Sequence, residues 1–205
     1  MKNRVHLIMT LAFSLIFAGI LSACGYGEKD AKEYTQMALD IISAGKSDIA
    51  IESAQASEED FEAVRDEMVK NSGLLNLTAD EQITSGFKTV LRNAYKKIDY
   101  SVGDARSVEN GFEVTVMVRP LRLFEDIDAD LNDKMSENLE EIQKLAEDEV
   151  MDYTLKKELE ILKDRVSNPE YGEPQEVVVF ISENENSRYA ITPESMTLIG
   201  NTLFY

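Results

Sequence analysis

The side chains able to do covalent chemistry are few and confined to one end. The chain has 205 residues, with one cysteine, Cys24, and one histidine, His6. An ionised thiol is a nucleophile, and an imidazole is the usual group that activates one. Neither type recurs after residue 24. Cys-His and Ser-His-Asp catalysis are therefore excluded for the rest of the chain, as are zinc, haem and iron–sulfur sites built on His or Cys. An intramolecular disulfide is excluded too. Asp, Glu, Lys, Tyr and Ser remain. Asp126, Asp128, Asp130 and Glu137 match much of the spacing of a calcium loop, where alternating carboxylates and a final bidentate glutamate surround the ion. Leu131 stands where such a loop needs glycine, and Ile127, Leu131 and Met135 keep helical spacing through the stretch. The preferred reading is a solvated helix face, and the alternative is a divalent-cation site. No Gly-rich phosphate loop or nucleophile elbow occurs. Among 39 Asp and Glu, spacing alone isolates no carboxylate pair for glycoside hydrolysis.

Cys24 has a specific setting. Lys2, Arg4 and His6 make a basic start, and Leu7 to Ile20 is almost wholly apolar. That is the pattern of a secretory signal, with an apolar run too short to cross a bilayer comfortably. Leu21-Ser22-Ala23-Cys24, with Gly25 next, resembles the bacterial lipobox. The resemblance implies a diacylglycerol thioether on the Cys24 thiol, fatty chains such as palmitate, and cleavage just before Cys24. It also implies a lipid-anchored protein on the extracytoplasmic face of the cell membrane. The lipid needs a thiolate to attack it, and two acyl chains hold a protein stably where one does not. The expected organisation is a signal peptide over 1–23, a lipidated tether over 24–29 and a single domain over 30–205.

Charge narrows the partners. The formal net charge is −18, and loss of Lys2 and Arg4 with the signal takes it to about −20. Nucleic acid is excluded, because backbone binding needs clustered Lys and Arg. An anionic bilayer surface repels such a domain, so the bilayer is a partner only through the Cys24 anchor. An acidic surface also simply keeps a protein dispersed. No cofactor is implied.

The elements follow from periodicity. Asp30 with Glu33 reads as a capping box before the helical set Tyr34, Met37, Ala38, Ile41, Ile42, which Gly45 ends. Ser57 begins a second helix, with Phe61, Val64 and Met68 inward. Thr78 with Glu81 caps a third, carrying Ile83, Phe87, Val90, Leu91, Ala94 and Ile98. Period two then takes over in Tyr100 and Val102 and in Phe112, Val114, Val116 and Val118, with Asn110-Gly111 between. A three-residue loop, Glu109 to Gly111, pairs Val108 with Phe112 and Val102 with Val118 and gathers the apolar residues on one face. It also puts Asp104 and Arg106 on that face, either as a polar pair lining a pocket or, preferably, at the twisted hairpin tip outside the core. From Phe124 to Val166 there is neither glycine nor proline, and the helical spacing predicts two acidic helices with a break near Glu147 to Met151. Glu176 to Ser182 reads as a buried strand. Asn184-Glu185-Asn186 turns it, and Ser187 to Ile191 returns. Thr192-Pro193-Glu194 caps a last helix expected to stop at Gly200.

The fold class is therefore α+β. N-terminal helices precede two antiparallel hairpins forming a roughly four-stranded sheet, with a long acidic helical segment between them. The lipobox, the three-helix start, the Lys97-to-Leu123 hairpin ending Arg119-Pro120-Leu121 and the closing Tyr189-Ala190-Ile191 strand are similar to small Gram-positive cell-surface lipoproteins that carry a domain of unknown function. That resemblance implies a shape like the cystatin- and nuclear-transport-factor-2-like folds, although helices separate the hairpins here. It carries no catalytic residue over. The leading expectation is a non-enzymatic binding or accessory lipoprotein, with an envelope protein or a small ligand as partner. A carboxylate-dependent hydrolase of envelope glycans and a divalent-cation-responsive module are the alternatives.

Overall fold

A computed structural model describes residues 26–44, 78, 80–183 and 189–205. The elements in these residues are α1 (Glu28–Ala44), α2 (Glu81–Tyr95), β1 (Asp99–Val108), β2 (Gly111–Arg119), α3 (Ile127–Glu137), α4 (Leu139–Ile142), α5 (Glu147–Ser167), β3 (Gln175–Glu183), β4 (Tyr189–Ile191) and α6 (Pro193–Leu203). The class is α+β as expected, with two hairpins forming one antiparallel sheet in the order β1-β2-β3-β4. The expected second helix from Ser57, the signal peptide, Cys24 and the Asn184–Asn186 turn lie outside the described residues.

One face of the sheet is covered and the other is open. Val114, Val116 and Val118 of β2 and Val177, Val179 and Ile181 of β3 point to the covered face and are buried. Because side chains alternate along a strand, their neighbours Thr115, Met117, Val178 and Phe180 point the other way. Val178 is 42% exposed. The strand expected to be buried is therefore buried on one side only. Helices α1 and α6 supply the covering layer, with Tyr34, Met37, Ala38, Ile41 and Ile42 from the first and Met196, Ile199 and Leu203 from the second. A second helical group is built from α2, α3 and α5. The α2 stripe Ile83, Phe87, Val90, Leu91 and Ala94 is buried as its spacing requires, while Ile98 falls just beyond the helix and packs on the core half-buried.

Five local expectations are corrected. First, α1 starts at Glu28, one turn early: Asp30 is the residue that reaches back, accepting from the Gly27 N–H at 2.8 Å. Second, Asp80 and not Thr78 caps α2, accepting from the Gln82 and Ile83 N–H groups, and those bonds hold its carboxyl below the usual carboxylate range. Third, the hairpin loop is two residues, Glu109-Asn110, with Val108 opposite Gly111. Asn110 takes a left-handed φ of 70°. Fourth, the helical break falls at Gln143–Ala146, with a second at Asn138. Glu149 accepts from the Ala146 N–H at 2.9 Å and so caps α5. Fifth, α6 runs through Gly200 to Leu203, because Thr202 and Leu203 are buried. That packing outweighs the roughly 1 kcal/mol a helical glycine costs.

The sheet and the second helical group meet at the end of the sheet farthest from the β1–β2 turn. There the Leu121 N–H donates to the Leu203 carbonyl at 2.9 Å and the Tyr205 N–H donates to the Leu121 carbonyl at 3.0 Å. The Arg122 N–H reaches Glu170 at 2.9 Å, and the Gly172 N–H reaches Pro120 at 2.9 Å. Arg165 of α5 donates to the Leu123 carbonyl at 3.0 Å, and the Tyr171 hydroxyl donates to the Lys97 carbonyl at 2.7 Å. Among the described residues no helix is long and apolar enough to cross a membrane.

Candidate functional site

Among the described residues a concavity lies at the opposite end, around the β1–β2 turn. A cavity of about 500 Å³ is lined by Ser107, Val108, Asn110, Gly111, Phe112, Glu183 and Tyr189. The register explains the grouping. Gly111 pairs with Ser182 and Glu183 pairs with Tyr189, so both hairpins end on the same side. An aromatic cluster forms one wall. Tyr26 stacks on Tyr189 with ring centroids 4.3 Å apart and meets Phe112 edge-on at 5.2 Å. Glu28 adds a tie, accepting from the Ser107 N–H at 2.9 Å. Hydroxyl, amide and carboxylate groups beside aromatic walls suit binding and orientation of a ligand. With no histidine or cysteine beyond residue 24, no such base or thiol stands there to activate a nucleophile.

Tyr26 had been read as tether, yet it is part of the fold. Its hydroxyl is buried and has no hydrogen-bond partner among the described residues. Burial pushes it well above the usual phenol range, with Tyr34, Asp30 and Tyr189 adding to the effect. Tyr26→Phe keeps the ring and removes the orphan hydroxyl, so it is expected to raise stability, read from urea unfolding, by about 1 kcal/mol. Tyr26→Ala loses the ring pairs and is expected to lower it by about 1 kcal/mol or more. A destabilising Phe variant would show that the hydroxyl does find a partner.

Asp104 and Arg106 do not pair. Between Val102, which pairs with Val116, and Ala105, which pairs with Val114, β1 carries one residue more than β2. This bulge at Gly103-Asp104 reverses the strand's parity. Arg106 is thereby sent to the open face, where it bonds Glu113. Asp104 is fully exposed at the strand edge, 3.4 Å from Lys32. Neither residue lines the cavity. The open face also carries Asp99 and Arg119, 3.1 Å apart, so charge pairs flank the apolar patch of Met117, Val178 and Phe180.

Asp126, Asp128, Asp130 and Glu137 fall on or beside one helix. Asp126 precedes α3 with a φ of 51°, and the other three are exposed along it. Asp130 is engaged by Arg165 of α5. Among the described residues no group of three or more His, Cys, Asp or Glu could hold a metal ion.

Two titratable groups escaped the sequence reading. Asp40 of α1 accepts from the Tyr100 hydroxyl and from Gln36 at 2.8 Å, and Ser43 lies 3.4 Å from the same hydroxyl. Burial raises the Tyr100 phenol, and the bond to Asp40 raises it further. This cluster joins α1 to β1. Glu158 of α5 is only 3% exposed, and its Oε1 has no partner among the described residues. Burial raises its pKa, and the Asp128 charge adds to the rise. A raised carboxyl beside a second carboxylate is the pairing that glycoside hydrolysis uses, but a side chain this buried meets no substrate. The sequence does contain one signal for it. Glu158 stands three residues after Leu155 and four before Leu162, on the apolar stripe of its helix. A lone aromatic between Gly25 and Gly27 is the corresponding signal for Tyr26.

No protein-family model matches the chain, and no curated protein does. The fold is similar to the crystal structure of ycdA, a candidate lipoprotein from Bacillus subtilis subsp. subtilis str. 168, with a TM-score of 0.56 and 16% sequence identity. The match covers 87% of this chain and 56% of that one, so the chain spans a little over half the length of the protein it matches. At that identity the likeness is one of fold.

Proposed function

We propose that this chain is a lipoprotein held on the extracytoplasmic face of the cell membrane through Cys24, and that its domain binds an envelope protein or small ligand without transforming it. The observation that carries this reading is how soon the fold begins. Tyr26 is already packed against Phe112 and Tyr189, two residues after the cysteine of Leu21-Ser22-Ala23-Cys24. A chain starting at Cys24 thus retains every described element. The similar fold of a candidate lipoprotein supports the same reading, and the cavity beside the aromatic cluster supports a binding role.

Mass spectrometry of the membrane-extracted protein tests the anchor. The expected N-terminal peptide begins at Cys24 and carries a diacylglyceryl adduct. Cys24→Ser is expected to lose that adduct and accumulate with residues 1–23 attached. An unmodified Cys24 in the extracted protein would end the reading. A hydrolase activity of the purified domain that vanished on replacing one Asp or Glu would overturn the non-catalytic part alone.

A further inference from the structure

We infer that the β1–β2 turn end of the sheet faces the lipid headgroups, and that the second helical group is held at the end remote from the bilayer. This rests on the Cys24 anchor proposed above and adds an orientation to it. Two residues of fully extended chain reach at most about 7 Å, so Tyr26 stays within that distance of Cys24. Tyr26 is not at the end of a tether. It is stacked on Tyr189 and set edge-on to Phe112, and the next turn of chain is pinned where Glu28 accepts from the Ser107 N–H. All three partners belong to the turn end of the sheet. A lipid on Cys24 therefore holds that end near the headgroups.

The rest of the molecule is arranged accordingly. Helix α1 starts at the turn end and leads away from it, since Asp40, three turns along, bonds Tyr100 near the start of β1. Among the described residues the second helical group is bonded to the sheet end beyond Arg119, through Leu123 and Lys97. That group includes the acidic stretch Asp126 to Glu137, which an anionic headgroup layer repels. Electrostatics and the short link thus favour the same orientation. The cavity lined by Ser107, Asn110, Glu183 and Tyr189 then opens at headgroup level.

Energy transfer in vesicles tests this. The protein is extracted from its own membrane, its Cys24 adduct is confirmed by mass, and it is reconstituted into phosphatidylcholine vesicles bearing a headgroup acceptor dye. A donor is attached through an encoded azido residue at exposed Glu109, in the turn, or at exposed Lys97, at the far end of β1. Transfer from position 109 is expected to exceed that from position 97 by at least about twofold, because the strand between them spans roughly 30 Å. Equal transfer, or more from position 97, with the adduct present overturns the orientation and leaves the anchor standing. No adduct removes the anchor and the orientation together. Tyr26→Ser, checked for a native circular dichroism spectrum, is expected to narrow the difference by freeing the link. An unchanged difference in that variant would overturn the role given to the aromatic cluster.

Discussion

Gly111→Ala is expected to lower stability by about 3 kcal/mol, read as a fall in the urea midpoint, with Gly111→Val lower still. A Cβ at this position would fall inside the van der Waals envelope of the Ile181 carbonyl oxygen and within 3.2 Å of the Phe180 ring. The obstructing atom is backbone at the turn end of the β2–β3 ladder, so relief requires moving the two strands apart there. Gly86→Ala makes a useful contrast. There the added methyl meets the far end of the Leu159 side chain, which can rotate. The change also removes the roughly 1 kcal/mol cost of a glycine inside a helix. The Gly86 variant is therefore expected to lose clearly less than the Gly111 variant. Equal losses would show that the β2–β3 contact is not the tight one.

Glu158→Gln is expected to stabilise the protein, and to do so more as pH rises. In the unfolded chain Glu158 ionises in the ordinary carboxylate range. In the fold, burial and then the Asp128 charge raise its pKa. Below the unfolded value the group is neutral in both states and costs nothing extra. As pH climbs through the unfolded value toward the raised one, the native state holds its proton longer than the unfolded state does, so stability falls. Above the raised value the full cost of a buried anion is present. Glutamine carries no such charge and has the same shape. Its advantage is expected to be small near about pH 4 and to reach about 1–3 kcal/mol near about pH 8. Denaturation curves for the two proteins across that range are the measurement, and parallel pH profiles would mean that Glu158 is solvated in the native state.

Legibility in the sequence tracked the range of the interactions involved. The α2 stripe was readable because its buried residues recur at helical spacing and no distant partner alters them. The Thr192 cap was readable for the same reason, since its hydroxyl accepts from Ser195 three residues on. The first hairpin was found and its register missed. Local turn chemistry offers glycine the left-handed position, but Gly111 is needed elsewhere, for the close approach of Ile181. Asn110 takes the positive φ instead. The bulge at Gly103-Asp104 then sets the parity of β1, and periodicity cannot announce one extra residue whose place depends on the facing strand. Tyr26 looked like linker because its neighbours are glycines, while its partners lie in β2 and β4. The stretch from Ile127 to Glu137 is helical, as the apolar residues running through it at helical spacing require. The cavity was not foreseen at all, since it is assembled from two hairpin ends that only the sheet order brings together.

The bonds around Leu121 also impose a schedule. A chain synthesised from its N-terminus presents β1 and β2 long before β3, and Leu121 long before residues 203–205, to which it is bonded. Until β3 emerges the edge of β2 that belongs to it is unpaired, and until residues 203–205 follow the Leu121 N–H lacks its Leu203 acceptor and the Leu121 carbonyl lacks the Tyr205 N–H. Contacts this far apart in sequence form slowly and leave sticky surface exposed while they wait. Residues 203–205 thus act as a latch on Leu121 that closes after both hairpins are complete, and a substitution there would disturb the latch before it reached the cavity.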